Sequence, residues 1–551
     1  MNKKNFSETI RSLLAFNKKK LIFSLIFGFL LGLSYVLGYQ LEKYNMTLPG
    51  FSGKGKIFLF SCLIMIPAGF VSYLAFGITE LFFKEKECTV NPRKTFLVSF
   101  LFMELLRVPV FLAYYPGVMS YDFGRQLNEA VSGHNWFWDY QPLIHTELIR
   151  IFYLLGEKLG NLAIGMALLS IFQFTVVSLI LAYSISLIYR VTKRLSFSII
   201  LITIYSLLPV HTLISVIMTK DVLFSAFMVL FVCLIYERSI KKSLLLDIAI
   251  ILTAALNITF RKNSVYAMVF LIIGFLIYEK TLKEKLFSAI LIVLCIGAGI
   301  GAHQAMVHGF DVIRANNTEM YSVPMMQIMR VYVYQKDNLT DEQYEMINNV
   351  LPLEEPGLSY APYFADSVKN FTGYRPGVWS GSPKAFSKEW FALAKAYPND
   401  FLDAFLFLNK GYWYLPDKMY AEVLGVGADI GKGILHTYNC TYDVIEGGIE
   451  NVDLCPIAKR FIEKSINENG FFKWPVLNLL FRPAFYFILL MFTTFAALYK
   501  KKRIGFIMIT YPLLYMGTLF FGPLVYFRYI YPIILTVPVL IAVVLFDKVK
   551  E

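Results

Sequence analysis

Charge is the first scarcity. Only 17% of the 551 residues are Asp, Glu, Lys or Arg, against about a quarter in a soluble protein. With 57% hydrophobic residues and a mean hydropathy of +0.56, this excludes an ordinary soluble domain and points to a polytopic membrane protein. The charge that is present is lopsided, with a formal net of +13. It does not indicate nucleic acid, because the basic residues sit in short loops between apolar runs, as control of membrane topology requires. Cysteine and histidine are also sparse, six of each. Cys62, Cys233 and Cys295 fall inside apolar runs and read as small buried hydrophobes. Cys440 and Cys455 share the long polar region and could pair there. There is no Walker loop, HExxH, paired CxxC or GxSxG, so ATP-driven transport, a recognisable zinc site and a hydrolase elbow find no support. No internal repeat or low-complexity tract is visible. A basic tail precedes the first apolar run and no small-residue cleavage pattern follows it, so no cleavable signal peptide is expected.

What is abundant is length of apolar run. A membrane-crossing helix needs about 20 mostly apolar residues. Twelve candidates follow: 21–39, 57–83, 95–114, 161–189, 195–210, 222–236, 243–260, 265–279, 286–303, 479–499, 504–521 and 529–546. Lys18–Lys20, Arg93 and Lys94, Arg190 to Arg194, Arg238 to Lys242, Lys280 to Lys285, Lys500–Arg503 and Lys548 with Lys550 then all fall on one side. That alternation puts both termini in the cytoplasm of a plasma membrane. The opposite side holds the loop 115–160, a segment near 211–221, a tight turn at 261–264 and a polar region 304–478. The expected architecture is all-α: spans one to nine over 1–303, a mostly helical extracytoplasmic domain over 304–478, with helical stretches at 341–351 and 382–414, and the last three spans over 479–551.

Ionisable groups at span ends on the outer side are few, and each is a functional candidate. Asp122, in YPGVMSYDFGRQ, starts a loop helix and can serve as a general base at a cavity mouth. The competing reading is a plain N-cap supplied by Ser120 or Asp122. Arg125 lies one turn on. His145, in QPLIHTEL, shares a helix face with Ile149 and Tyr153 and could bind phosphate or a hydroxyl, or simply rest at the interface. The aromatics Trp136, Phe137, Trp138 and Tyr140 read as interfacial anchors. Lys220 and Asp221 stand at the entrance of a span. Arg261 and Lys262 form a short outer turn against the positive-inside trend, and Arg528 in VYFRYIYP is a further exception. Cations placed so suit an anionic lipid phosphate. Arg314 and Arg330 are weaker candidates.

In order along the chain, YPGVMSYDFGRQ, QPLIHTEL, the Lys220–Asp221 pair after LPVH, RKNS at 261–264 and RANNTEMYSVPMMQIMRV at 314–331 resemble a bacterial family of uncharacterised twelve-span proteins. That family is similar to the GT-C glycosyltransferases, and the resemblance covers about 100–420. It implies a polyprenyl-phosphate-sugar donor, an extracytoplasmic glycan or polymer acceptor, a catalytic acid at Asp122 in the first large outer loop, and basic span ends that bind lipid phosphate. A single acid at the motif favours a metal-independent reaction with no cofactor over a metal-bridged one. The rival expectations are a transporter or flippase of lipid-linked sugars, a polysaccharide polymerase or ligase, and a non-catalytic scaffold.

Overall fold

The computed structural model describes residues 16–48, 53–81, 89–314, 318–354, 358–369, 381–417, 452–466 and 473–547, with 371, 373, 375, 377 and 449 among them. Cys440 lies outside the described residues, and so does any pairing it makes. Arg314 belongs to the described chain but to no helix.

The chain is helical almost throughout. The first six helices are α1 (Lys18–Tyr44), α2 (Gly53–Leu81), α3 (Pro92–Ala113), α4 (Tyr121–Ser132), α5 (Leu143–Lys158) and α6 (Leu162–Thr192). Then come α7 (Leu195–Leu207), α8 (Pro209–Val216), α9 (Lys220–Ile240), α10 (Leu244–Phe260), α11 (Ser264–Tyr278) and α12 (Leu282–Gly309). Short polar side chains start several of them. Asn17, Asn91 and Asn161 each accept a first-turn amide, and Thr281 closes a capping box with Glu284, so otherwise orphaned N–H groups are satisfied. A polar unit follows: α13 (Ser322–Gln335), α14 (Asp341–Val350), α15 (Pro383–Ala396), α16 (Pro398–Leu408) and α17 (Pro456–Ile466). The helix expected over 382–414 is interrupted at Tyr397, because Pro398 cannot donate to the preceding turn. The chain closes with α18 (Pro483–Lys500), α19 (Arg503–Leu519) and α20 (Phe527–Phe546).

Among the described residues, each of the twelve apolar runs is helical over most of its length. Eight helices, α1, α2, α3, α6, α9, α12, α18 and α20, are long and apolar enough to cross a membrane. α10, α11 and α19 are shorter apolar helices. The remaining run, 195–210, is not one straight rod. α7 stops at Leu208, and α8 leaves it at 59°. The segment expected outside the membrane near 211–221 is in fact folded inward, buried from Pro209 through Thr219. Its composition, PVHTLISVIMT, explains this: it carries too little polarity to stay in water, and Pro209 breaks the preceding helix. A broken, buried segment of this kind is tolerated at membrane depth only inside protein.

α9 and α20 form the centre, with 72% and 83% of their apolar windows buried. α1, α2 and α12 are peripheral, about a third buried or less, and present large apolar side chains such as Phe58, Leu59, Ile290 and Val293 outward. An apolar belt of this extent needs lipid around it. α1 packs on α2 through backbone contact. A Cβ on Gly28 would lie 2.5 Å from Gly69 N, and one on Gly32 2.6 Å from Ser61 O, so this is a small-residue interface that larger side chains would pry apart.

The two ends of the bundle differ. At one end, Arg190 pairs with Glu237, Arg238 with Asp247 at 2.6 Å and Lys242 with Glu284 at 3.2 Å, while Lys19 reaches Tyr499 O at 2.6 Å. These are the basic clusters read from the sequence. At the other end stands the polar unit, with its own core around Met325, Met326, Ile328 and Leu408. Arg330, 1% exposed, clasps this unit to the α1–α2 connection through Asn45 O and Asp403. Lys410, equally buried, lies between Glu42 at 3.2 Å and Asp417 at 3.0 Å. Arg330 is therefore a structural fastener, remote from the groups described next.

Candidate functional site

Two short backbone pairings build the site. β1 (Val118–Met119) and β2 (Ile217–Met218) lie parallel, with Val118 opposite Ile217 and Met119 opposite Met218. Gln173 Nε2 holds the second strand by donating to Ser215 O at 3.0 Å and Ile217 O at 2.7 Å. The residues that follow each strand, Ser120 to Asp122 and Thr219 to Asp221, are thereby brought side by side. Ser120 accepts the Phe123 amide at 3.3 Å and caps α4. Asp122, in the first turn, is free of capping duty.

Its carboxylate meets two cations instead. Arg528 Nη1 donates to Asp122 Oδ2 at 2.9 Å, and Lys220 Nζ lies 3.4 Å from the same oxygen. Both contacts fall on Oδ2, and Oδ1 makes no hydrogen bond among the described residues. Burial pushes the carboxyl up, but the Arg528 and Lys220 charges outweigh it and hold Asp122 well below the usual carboxylate range. Asp221, 1% exposed, is the second anion. Arg261 Nη1 binds its Oδ1, and Arg528 Nε lies 3.8 Å from its Oδ2. Both guanidiniums also sit over the Tyr529 ring, at 4.7 and 5.2 Å from its centroid. Tyr515 fixes that segment by donating to Tyr529 O at 3.1 Å. Aromatic walls of this kind suit arginine, whose planar cation is weakly hydrated. α4, α9, the α10–α11 turn and α20 thus place Lys220, Arg261 and Arg528 around Asp122 and Asp221. Three cations face two carboxylates, which leaves one positive charge unbalanced.

The other candidates are distributed around this centre. His145 is buried, 1% exposed, and its Nδ1 lies 2.8 Å from Gln126 Oε1. Burial and the Lys220 charge push the imidazole down to about 3, against the opposing pull of Asp122, so it is neutral at physiological pH. Lys262 turns away from Arg261 and pairs with Asp139, which His303 also approaches at 3.3 Å. Arg125 is exposed and lies over the Tyr140 ring at 4.9 Å. Neither reaches Asp122. Trp136 is 61% exposed, as an interfacial anchor would be, whereas Phe137 is fully buried against His134 and Phe310 and is a core residue.

Two groups carried no sequence signal. Gln141, just before α5, accepts a hydrogen bond from Lys220 Nζ. Glu129, two turns after Asp122 on α4, is 7% exposed. Among the described residues it accepts only the Trp138 amide, at 3.3 Å on Oε2, and its Oε1 has no partner. Burial pushes this carboxyl up to about 7, only partly offset by the Trp138 amide and the Arg125 and Lys220 charges. The folded chain therefore holds this proton more tightly than the unfolded chain. Stability should fall as pH rises from the ordinary glutamate range to about 7, and level off above it. Glu129→Gln should remove that slope. Melting temperatures of the two proteins should agree at or below about pH 4, with the variant higher at pH 8; parallel curves would refute the buried-acid assignment.

Among the described residues no three His, Cys, Asp or Glu side chains gather as a metal site would require. Residues 139–551 match the sequence model of a family described as a family of unknown function (DUF6020). The matched stretch begins after Asp122 and includes Lys220, Asp221, Arg261 and Arg528. No curated protein and no solved structure matches the chain.

Proposed function

We propose, for a chain that belongs to the DUF6020 family of unknown function, that it is a membrane glycosyltransferase of the GT-C type. In this reading about twelve helices span a bacterial plasma membrane. The basic end and both termini face the cytoplasm, and the Asp122 end faces outward. The observation that carries the reading is the convergence of Lys220, Arg261 and Arg528 on Asp122 and Asp221 at one end of an apolar bundle. The unbalanced positive charge equals the single negative charge of a phosphodiester, such as a polyprenyl-phosphate sugar. A polyprenyl-diphosphate donor would bring more negative charge than the cluster neutralises, which disfavours a polymerase or ligase using one.

The reaction is an inverting displacement. Asp122 Oδ1 takes the proton of an acceptor hydroxyl, on a glycan or surface polymer. The hydroxyl oxygen bonds to the anomeric carbon as the bond from that carbon to the phosphate oxygen breaks. The electron pair leaves with the lipid phosphate, whose gained charge Arg261, Lys220 and Arg528 stabilise without a metal.

The test is reconstitution. Purified protein in liposomes, given a polyprenyl-phosphate sugar and a methyl glycoside, should release polyprenyl phosphate and glycosylate the methyl glycoside. Movement of the lipid-linked sugar across the bilayer with no acceptor present, and no new glycosidic bond, would replace this reading with a flippase.

A further inference from the structure

Gln126 lies on the same face of α4 as Asp122, one turn on. Its amide is held on three sides. Nε2 donates to Thr146 Oγ1 at 2.9 Å and reaches Pro142 O at 3.5 Å, while Oε1 faces His145 Nδ1 at 2.8 Å. The Pro142 carbonyl can only accept, and the Thr146 hydroxyl spends its own proton on that carbonyl, at 3.5 Å. The Gln126 atom facing them must therefore be the amino group, which turns the amide oxygen to the imidazole. An oxygen there demands a proton on Nδ1. In a neutral ring the proton cannot also be on Nε2, which is left as a bare acceptor. Nε2 makes no hydrogen bond among the described residues. Gln126 stands one turn from Asp122 on α4, and Gln141, just ahead of the His145 helix, accepts from Lys220 Nζ, so the ring borders the proposed site.

We propose that Gln126 fixes His145 as the Nδ1-protonated tautomer, so that Nε2 accepts a hydrogen bond from a neutral hydroxyl of the acceptor rather than donating one to the donor's phosphate. His145 and Asp122 then form the hydroxyl side of the site, and the three cations form the anion side. Gln126 is a positioning residue, acting through His145. This rests on the transferase reading for its biological role, while the tautomer and the ligand preference can be measured without turnover.

The experiment uses the full chain in nanodiscs with 15N-labelled histidine, the His145 signals being assigned by their loss in His145→Gln. At neutral pH, His145 should show a protonated Nδ1 and an unprotonated Nε2. Gln126→Leu, which removes the acceptor oxygen, should lose that pattern. Methyl glucoside should shift the Nε2 resonance and inorganic phosphate should not. In the transfer assay, Gln126→Leu should raise KM for the methyl glycoside about tenfold, the effect of about one neutral hydrogen bond. KM for the lipid donor should stay within about twofold, since uniform binding there is untouched. A proton on Nε2, or a shift with phosphate and none with methyl glucoside, overturns the proposal. If wild type transfers no sugar, the transferase reading falls, yet the resonances still decide what Gln126 and His145 do.

Discussion

Asp122→Asn should lower sugar transfer by about 10²–10⁴-fold, the usual contribution of a positioned general base. It should leave polyprenyl-phosphate affinity unchanged or tighter. The two effects separate because the variant removes an anion from a cluster whose cations remain. Lys220 and Arg528 would lose the carboxylate they now share and become more available to a phosphate. A transferase that kept full rate in Asp122→Asn would have its base elsewhere. A second readout is the pH profile. Because its cationic neighbours hold Asp122 well below the usual carboxylate range, the carboxylate is charged in the free protein throughout physiological pH. The acid limb of kcat/KM should then lie below the ordinary Asp range, about 3.9. Such a carboxylate is a weak base at rest. A bound phosphate drawing Lys220 and Arg528 toward itself would release it, so that Asp122 becomes basic when the donor is in place. Proton uptake measured on donor binding would report this.

Arg261→Ala should cause the largest loss of stability in the site. Asp221 is almost fully buried and, among the described residues, depends on Arg261 for its only close side-chain partner, with Arg528 Nε beyond hydrogen-bond distance at 3.8 Å. Stranding a buried carboxylate costs about 3–5 kcal/mol. Asp221→Asn combined with Arg261→Gln should recover most of that, since a neutral amide pair needs no counter-ion. Polyprenyl-phosphate affinity should not recover. It should stay about 10–100-fold weaker in both variants, the equivalent of one charge-assisted hydrogen bond. Thermal unfolding and lipid binding measured on wild type and both variants separate the stability effect from the binding effect. Recovery of lipid binding in the double variant would remove Arg261 from the phosphate site. Arg261→Lys should rescue poorly, because a compact, strongly hydrated ammonium cannot both reach Asp221 and lie flat over Tyr529.

The helical frame and the charged centre were unequally legible. Apolar length marked the eight helices long enough to cross a membrane and the three shorter apolar ones, because burial in lipid demands long apolar runs whatever the tertiary packing. Lys220, Arg261 and Arg528 stood out as cations against the expected charge pattern, and the structure gathers Lys220 and Arg528 on Asp122 and Arg261 on the neighbouring Asp221. Lys262 carried the same signal and goes elsewhere. Side-chain direction on a two-residue turn depends on tertiary neighbours, here Asp139. The inward fold of Pro209 to Thr219 was hidden because an apolar stretch reads alike whether it continues a span or bends into a core. Gln126 and Gln141 were invisible for a different reason. An uncharged amide among other polar loop residues has no distinguishing pattern, and its role exists only in what it faces.

The parallel pairing of Val118–Met119 with Ile217–Met218 has one more consequence, for how the chain tolerates insertions and deletions. The two strands act as an index. They set Asp122 against Lys220 from residues nearly a hundred positions apart, whatever length of chain runs between them. Residues added to the exposed tip near His134–Trp136 leave that index untouched. A single residue gained or lost between Met119 and Asp122, or between Met218 and Lys220, shifts one partner past the other and rotates its side chain around the helix that carries it. The few residues flanking the paired strands are therefore not free to vary in number.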